Sequence, residues 1–197
     1  MPRMRPEKKS MKRDDLMVWV DCEMTGLDPA RHTLIEIATI ITDFDLRIID
    51  RGPDLAIRLT PAKGKAMDPW PRRTHTRSGL LERCKTEGVS LAEAEKQTLR
   101  FIRRHCAAKT APLCGNSVWQ DKRFLSRYMP SIERYLHYRI VDVSSIKLMA
   151  RHWFPGAEPP AKQDTHRALA DIEESIAELK FYRSLLTGAG PDTLALP

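Results

Sequence analysis

An apolar stretch over residues 17–23 runs directly into two carboxylates, Asp21 and Glu23, and that junction limits the folds open to the chain. Side chains alternate across a strand, so Asp21 and Glu23 share one face while Val18, Val20 and Cys22 share the other. The stretch closes at Thr25-Gly26-Leu27. If the Asp21 face is buried, the two like charges repel and one pKa rises unless a cation intervenes. Hard oxygen ligands suit Mg²⁺ or Mn²⁺. On these residues alone, an edge strand with both acids in solvent is the more ordinary reading.

The next segments supply a burying partner. Residues 33–42 form a longer apolar run with Leu34, Ile35, Ile37, Ile40 and Ile41, and residues 47–49 and 55–59 give a third extended stretch interrupted at Gly52-Pro53. Three stretches so close together suit an antiparallel meander. The period then changes. Ser90 with Glu93 is a capping-box signature that opens a helix to about residue 106. A short strand over 112–115, a helix over 119–128 stopped by Pro130, a strand over 139–143 and a helix over 144–153 come next. Asp164 or Thr165 is expected to cap a last helix with the stripe Leu169, Ile172, Ile176 and Leu179. A meander followed by strand–helix units predicts an α/β fold with a mixed five-stranded sheet and flanking helices.

The 197 residues fit one domain, here 16–187, between a basic arm (1–15) and a short tail (188–197). The net charge of +7 favours an anionic partner such as nucleic acid, but residues 1–15 alone hold six Lys or Arg against three acids. With almost nothing to bury, that arm is expected to be disordered. It lacks the apolar core of a secretory signal, and it is too poor in serine and too little amphipathic for a transit peptide. No apolar run approaches the roughly 20 residues of a membrane span. Cys22, Cys84, Cys106 and Cys114 show neither metal-binding nor disulfide spacing, so reduced thiols in a cytoplasmic compartment are expected.

Further candidate acids lie downstream. Asp121 is at helical spacing to Phe124, Leu125 and Tyr128, on an inward stripe where an isolated carboxylate is costly unless it is metal-bound or ion-paired with an arginine. His166 and Asp171 are five residues apart, about 500° along a helix, so they are expected to point in different directions and do two jobs. One would be a metal ligand and the other a general base working near its own pKa. Asp21, Glu23, Asp121, Asp171 and His166 together are the inventory of a two-metal phosphodiesterase.

The order of these residues resembles the DEDDh exonuclease superfamily, whose fold is ribonuclease H-like. The local strings are similar to the oligoribonuclease family. They are Val18-Trp19-Val20-Asp21-Cys22-Glu23-Met24-Thr25-Gly26-Leu27-Asp28-Pro29, Leu34-Ile35-Glu36-Ile37-Ala38-Thr39 and Arg73-Thr74-His75-Thr76-Arg77-Ser78-Gly79-Leu80. Further on come Cys114-Gly115-Asn116-Ser117, Tyr128-Met129-Pro130, His137-Tyr138-Arg139, Val141-Asp142-Val143-Ser144 and Thr165-His166-Arg167-Ala168-Leu169. The resemblance implies 3′→5′ hydrolysis of very short RNA, chiefly dinucleotides, by a homodimer using two divalent cations, Mg²⁺ or Mn²⁺. By motif match, Asp21, Glu23, Asp121 and Asp171 bind metal and His166 is the base. Leu27 matches the wedge between the two bases and Trp70 the stacking aromatic. His75, Ser117, Arg139 and Ser144 match the cap on the 5′ phosphate, with Tyr138 and Arg139 near the dimer partner.

Some residues depart from that pattern. Ala170 stands where relatives often have a second Asp, Trp119 where they can have a small residue, and Asp164 where some have glycine. Glu36, mid-strand among isoleucines, is expected to pair with a buried cation and is assigned no role. Two other functions remain open on sequence: an exonuclease for longer strands, which has no use for a 5′-phosphate cap, and an inactive nucleic-acid-binding module, which would lack one of the five site residues.

Overall fold

In the computed structural model, which describes residues 13–161 and 166–188, the apolar alternation read above becomes one sheet with a core on each face. The elements are β1 (Leu16–Met24), β2 (Leu34–Asp43), β3 (Ile48–Ala56), α1 (Pro61–Lys65), α2 (Pro69–Arg77), α3 (Leu80–Thr86), α4 (Leu91–His105), β4 (Leu113–Gly115), α5 (Val118–Tyr128), α6 (Pro130–Tyr135), β5 (Ile140–Asp142), α7 (Val143–Trp153) and α8 (Ala168–Thr187). The strand order is β3-β2-β1-β4-β5. β1–β2 and β2–β3 pair antiparallel, as a meander must, while β1–β4 and β4–β5 are parallel.

The two faces of β1 serve different layers. Val18, Val20 and Cys22 pack with Ile37 and Ile41 against Phe101 and Ile102 of α4 and Phe124 and Leu125 of α5. On the other face, Met17 and Trp19 join Ala38 and Ile40 against Ile172, Ile176 and Leu179 of α8. Cys22 is therefore core, as alternation predicts, and burial raises its thiol pKa well above the ordinary value. All four cysteines are buried and free.

Several expectations change. The third extended stretch is not interrupted: β3 runs through Gly52-Pro53, and its register against β2 shifts there, from Ala38 opposite Asp54 to Ile40 opposite Arg51. The bulge absorbs the irregularity, and Pro53, which has no N–H to give, is tolerated because β3 is an edge strand. Helices α1, α2, α3 and α6 lack a sequence signal because runs of five to nine residues are too short to show periodicity. Proline opens three of them, in the first turn where its missing N–H is harmless.

The expected arm reached residue 15, but Arg13 donates its amide to the His105 carbonyl and accepts from the Ala107 amide, so residues 13–15 are tied into the fold. The rest of the arm, Asp164, Thr165 and most of the tail lie outside the described residues. The first residue of α8 is Ala168, and its predecessor Arg167 makes no side-chain cap bond.

Gly52 is the close approach that the β3 bulge requires, since a Cβ there would lie 2.5 Å from the buried Phe101 ring. Gly52→Ala is expected to lower stability by ~1–3 kcal/mol, read from the urea midpoint. An unchanged midpoint would show that the ring yields freely.

Candidate active site

Strands β1, β4 and β5 run in the same direction, so their carboxyl ends share one edge of the sheet, where ligands bind in open α/β sheets. β1 delivers Asp21 and Glu23 to that edge. β4 hands over through Ser117 to α5, whose first turn carries Asp121, and α8 brings Asp171 in its own first turn. Both helices thus aim their partially positive N-termini at the acids. The β1 face toward α8 is apolar at Met17 and Trp19 and acidic at Asp21 and Glu23, so one strand both packs the helix and builds the site.

Asp121 is buried and accepts the Cys22 N–H through Oδ1 at 3.0 Å. Its carboxylate therefore lies against β1 beside the residue that separates Asp21 from Glu23. No Lys or Arg among the described residues forms an ion pair with it, so the structural salt bridge weighed on sequence is not what places it there. Burial, reinforced by neighbouring carboxylates, raises all three acids. Glu23 is pushed up to about 9, with Asp171 and Glu36 as the nearest repelling charges. Asp121 is pushed up to about 8 by burial, against the opposing pull of the Cys22 N–H. Asp21 is raised well above the carboxylate range by burial and then by Asp121 and Glu23.

His166 does not start the helix. It precedes α8 by two residues with φ +48°, so the helical angle between it and Asp171 does not apply. The bend in the chain there turns the imidazole back. A ring nitrogen of His166 and carboxylate oxygens of Glu23 and Asp171 lie within 4.8 Å of one another. The Trp70 ring meets the His166 ring edge-on at 5.4 Å between centroids.

This donor set fits divalent metal. It is rich in carboxylate oxygens, has one imidazole, and carries a repulsion among buried acids that a cation would relieve.

Next to Glu23, a cavity of about 310 Å³ is lined by Met24, Leu27, Asp68, Trp70 and His75 among others. Leu27 and Trp70 are both exposed at its mouth. The loop carrying Leu27 is tied down: Gln120 of α5 donates to the Leu27 carbonyl at 2.6 Å, and the Asp28 amide donates to His32 Nδ1 at 3.1 Å. His75 is buried in the wall, its Nε2 bonded to the Met24 carbonyl at 3.1 Å and its Nδ1 without a partner. Burial lowers its pKa, which favours the neutral ring.

Ser117 and Ser144 form a separate cluster where α5 and α7 begin. Their hydroxyls lie 3.0 Å apart, and Asp142 Oδ1 accepts from both backbone amides at 3.0 Å. Tyr138 and Arg139 are exposed, the guanidinium 5.3 Å from the Tyr138 ring centre. No hydrogen bond or ion pair joins either of them to the serines. Trp119 is exposed beneath the Arg123 guanidinium, which accommodates its bulk outside the core.

Sequence reasoning left one participant without a role. Glu36, fully buried, pairs with two cations, Arg83 and Arg167, but both are half-buried and not the buried cation expected. Its Oε2 also accepts the Ala168 N–H at 3.0 Å, so a carboxylate from β2 caps the start of α8. An acid among isoleucines was the signal; its distant partners had none.

Comparison with known proteins places this geometry. The exonuclease family profile matches residues 18–179. An oligoribonuclease of Photorhabdus laumondii is 51% identical over 173 residues, covering 87% of this chain and 96% of its own. Those of Alkalilimnicola ehrlichii and an Escherichia coli strain are 50% and 49% identical, each over 85% of this chain and covering 88% and 93% of their own. Among solved structures, a zinc-bound complex of E. coli exonuclease I with single-stranded DNA superposes with a TM-score of 0.69 at 15% identity, covering 89% of this chain and 42% of that one. Exonuclease I of Methylocaldum szegediense gives 0.62 at 18%, covering 91% and 42%. The chain thus spans about two fifths of the exonuclease I structures, and that likeness establishes a ribonuclease H-like fold.

Because Glu23 and Asp121 hold their protons more tightly in the fold than in the unfolded chain, the folded state carries the excess protons up to about pH 9, and stability falls as pH rises toward it. In EDTA the thermal midpoint should drop from pH 6 to pH 9, and Mn²⁺ or Mg²⁺ should raise it most at the upper end. A flat profile with no effect of the cation would contradict the assignment of these acids.

Proposed function

This chain belongs to the exonuclease family and, within it, to the oligoribonucleases, and on that premise we propose that it hydrolyses very short RNA, chiefly dinucleotides, from the 3′ end to mononucleotides. The observation that carries the reading is the meeting of Glu23, His166 and Asp171 beside a small cavity whose mouth presents Leu27 and Trp70.

Asp21, Glu23, Asp121 and Asp171 would hold two divalent cations, Mg²⁺ or Mn²⁺, which when bound would supply Lewis-acid stabilisation of charge on the phosphoryl oxygens and ease ionisation of water. His166 takes the proton of the attacking water, which adds to phosphorus in line as the bond to the 3′ oxygen breaks. The leaving 3′ oxygen is reprotonated and a 5′-mononucleotide departs. The edge of Trp70 limits how the His166 ring can turn, so its nitrogen stays aimed across the carboxylates.

Selection by length arises from the space available. Leu27 wedges between two bases and Trp70 stacks on one, a contact worth ~1–3 kcal/mol that tolerates any base. The paired hydroxyls of Ser117 and Ser144 suit a terminal 5′ phosphate, with Arg139 giving a charge-assisted contact, while His75 would meet the substrate from the cavity wall beside Glu23. A third nucleotide would need the space these groups fill. Tyr138 and Arg139, exposed in one chain, are suited to a homodimer in which each protomer completes its partner's site. Four free, buried thiols agree with a reducing cytoplasm, and no helix among the described residues is long and apolar enough to cross a membrane.

With Mg²⁺ or Mn²⁺ present, a 5′-phosphorylated dinucleotide should turn over faster than a heptamer, and EDTA should abolish both reactions. Equal or faster cleavage of the heptamer would sink the dinucleotide reading, and activity persisting in EDTA would sink the metal mechanism. Arg139→Ala should raise the Michaelis constant for the dinucleotide by ~10-fold or more, in line with loss of a hydrogen bond to a charged group, while metal affinity stays the same. An unchanged Michaelis constant removes Arg139 from the cap.

A further inference from the structure

Glu36 lies directly opposite Glu23 in the β1–β2 register and has no exposed surface. Its carboxylate is fully engaged. Oε1 accepts from Arg83 Nη1 at 2.6 Å and from Arg167 Nε at 3.1 Å, and Oε2 accepts from the Ala168 amide at 3.0 Å. Asp54 of β3 shares the same guanidiniums, 3.3 Å from Arg83 and 3.7 Å from Arg167. One buried acid thereby ties α3, β2 and the start of α8 together.

Arg167 is the residue through which this tie reaches the chemistry. His166 precedes it, and the Arg167 carbonyl accepts the Asp171 amide at 3.0 Å. The main chain at His166 is left-handed, with φ +48°, an uncommon conformation for a residue with a side chain and one that sets where the imidazole projects. Arg167, as N-cap, offers α8 no side-chain cap. The restraint on the far side of His166 is therefore the pair of contacts from Glu36, one to the Arg167 side chain and one to the first amide of the helix.

We infer that Glu36 is a positioning residue for the reaction: by holding Arg167 and the Ala168 amide from β2, it fixes His166 against the carboxylates of β1, whereas Asp171, further into α8, is held by the apolar stripe of Ile172, Ile176 and Leu179. This rests on His166 acting as the base. A side chain that only stabilised the sheet could be replaced without loss of turnover in any variant that remains folded. A positioning residue cannot, because displacement of a catalytic group by about 1 Å is enough to cost orders of magnitude in rate.

Glu36→Gln keeps the shape but sets an amide N–H₂ among donors and leaves two guanidiniums with one carboxylate. Turnover of a 5′-phosphorylated dinucleotide is expected to fall ~10-fold or more, with the Michaelis constant within about two-fold, at a temperature where the circular dichroism is native. In a His166→Ala background, followed with enzyme in excess, the same change should cost less than about two-fold, because no base is left to misplace. Ile102→Val, in the core on the opposite face of the sheet, should leave turnover unaffected. If Glu36→Gln does not fold, Arg167→Met, which removes the guanidinium that Glu36 holds next to His166, should lower turnover ~3-fold. Native turnover in a folded Glu36→Gln, or in Arg167→Met where that is the variant used, overturns the inference, as does an equal loss repeated in the His166→Ala background. A His166→Ala enzyme with native turnover overturns the base assignment itself and this inference with it, whereas a crippled His166→Ala beside an unimpaired Glu36→Gln overturns this inference alone.

Discussion

Mutual repulsion among buried carboxylates is the constraint around which the molecule is arranged. Asp21, Glu23 and Asp121 are raised by burial, Asp21 further by Asp121 and Glu23, and Glu23 further by Asp171 and Glu36. The fold tolerates this in part because two of the acids meet something partly positive. Asp121 has the Cys22 N–H, and Asp121 and Asp171 sit in the first turns of α5 and α8, where the helix dipole favours negative charge. These partners reduce the conflict without removing it, which leaves a donor set suited to a cation.

The sheet accommodates that cleft by changing character along one face. Below, Trp19 and Ile40 pack against Ile176 and Leu179, and this apolar contact anchors α8. Above, Glu23 and Glu36 face the start of the same helix, where hydrogen bonds and ion pairs take over from packing. A helix held firmly by its apolar stripe and tied at its N-terminus by a carboxylate from another strand leaves His166 little freedom. The loop bearing Leu27 is restrained in a similar way by Gln120 and His32, so the substrate-facing side of the site is also braced from neighbouring elements.

Much of this was legible in the residues. Alternation in β1 assigned Asp21 and Glu23 to one face and Cys22 to the other, and the spacing of Asp121 to Phe124 and Leu125 placed it inward, because strand and helix periods act locally. The Ser90 cap was equally local, and its hydroxyl accepts the Glu93 amide as the capping box requires. The short helices opened by Pro61, Pro69 and Pro130 were not legible, since a single turn or two carries no measurable period. Gly52-Pro53 read as a break and is instead a bulge, because an edge strand can lose one donor and continue.

The sequence by itself determined the acids, the histidine, their order and the family strings that go with them, because these depend on residue identity and on periods of a few residues. Only the tertiary structure decided how they meet. The positive φ at His166 turns the imidazole toward Glu23 and Asp171, the Cys22 amide receives Asp121 from ninety-nine residues away, and Glu36 caps a helix that begins 132 residues later. Those contacts span the sheet, and no local pattern encodes a partner that arrives only when the chain has closed on itself.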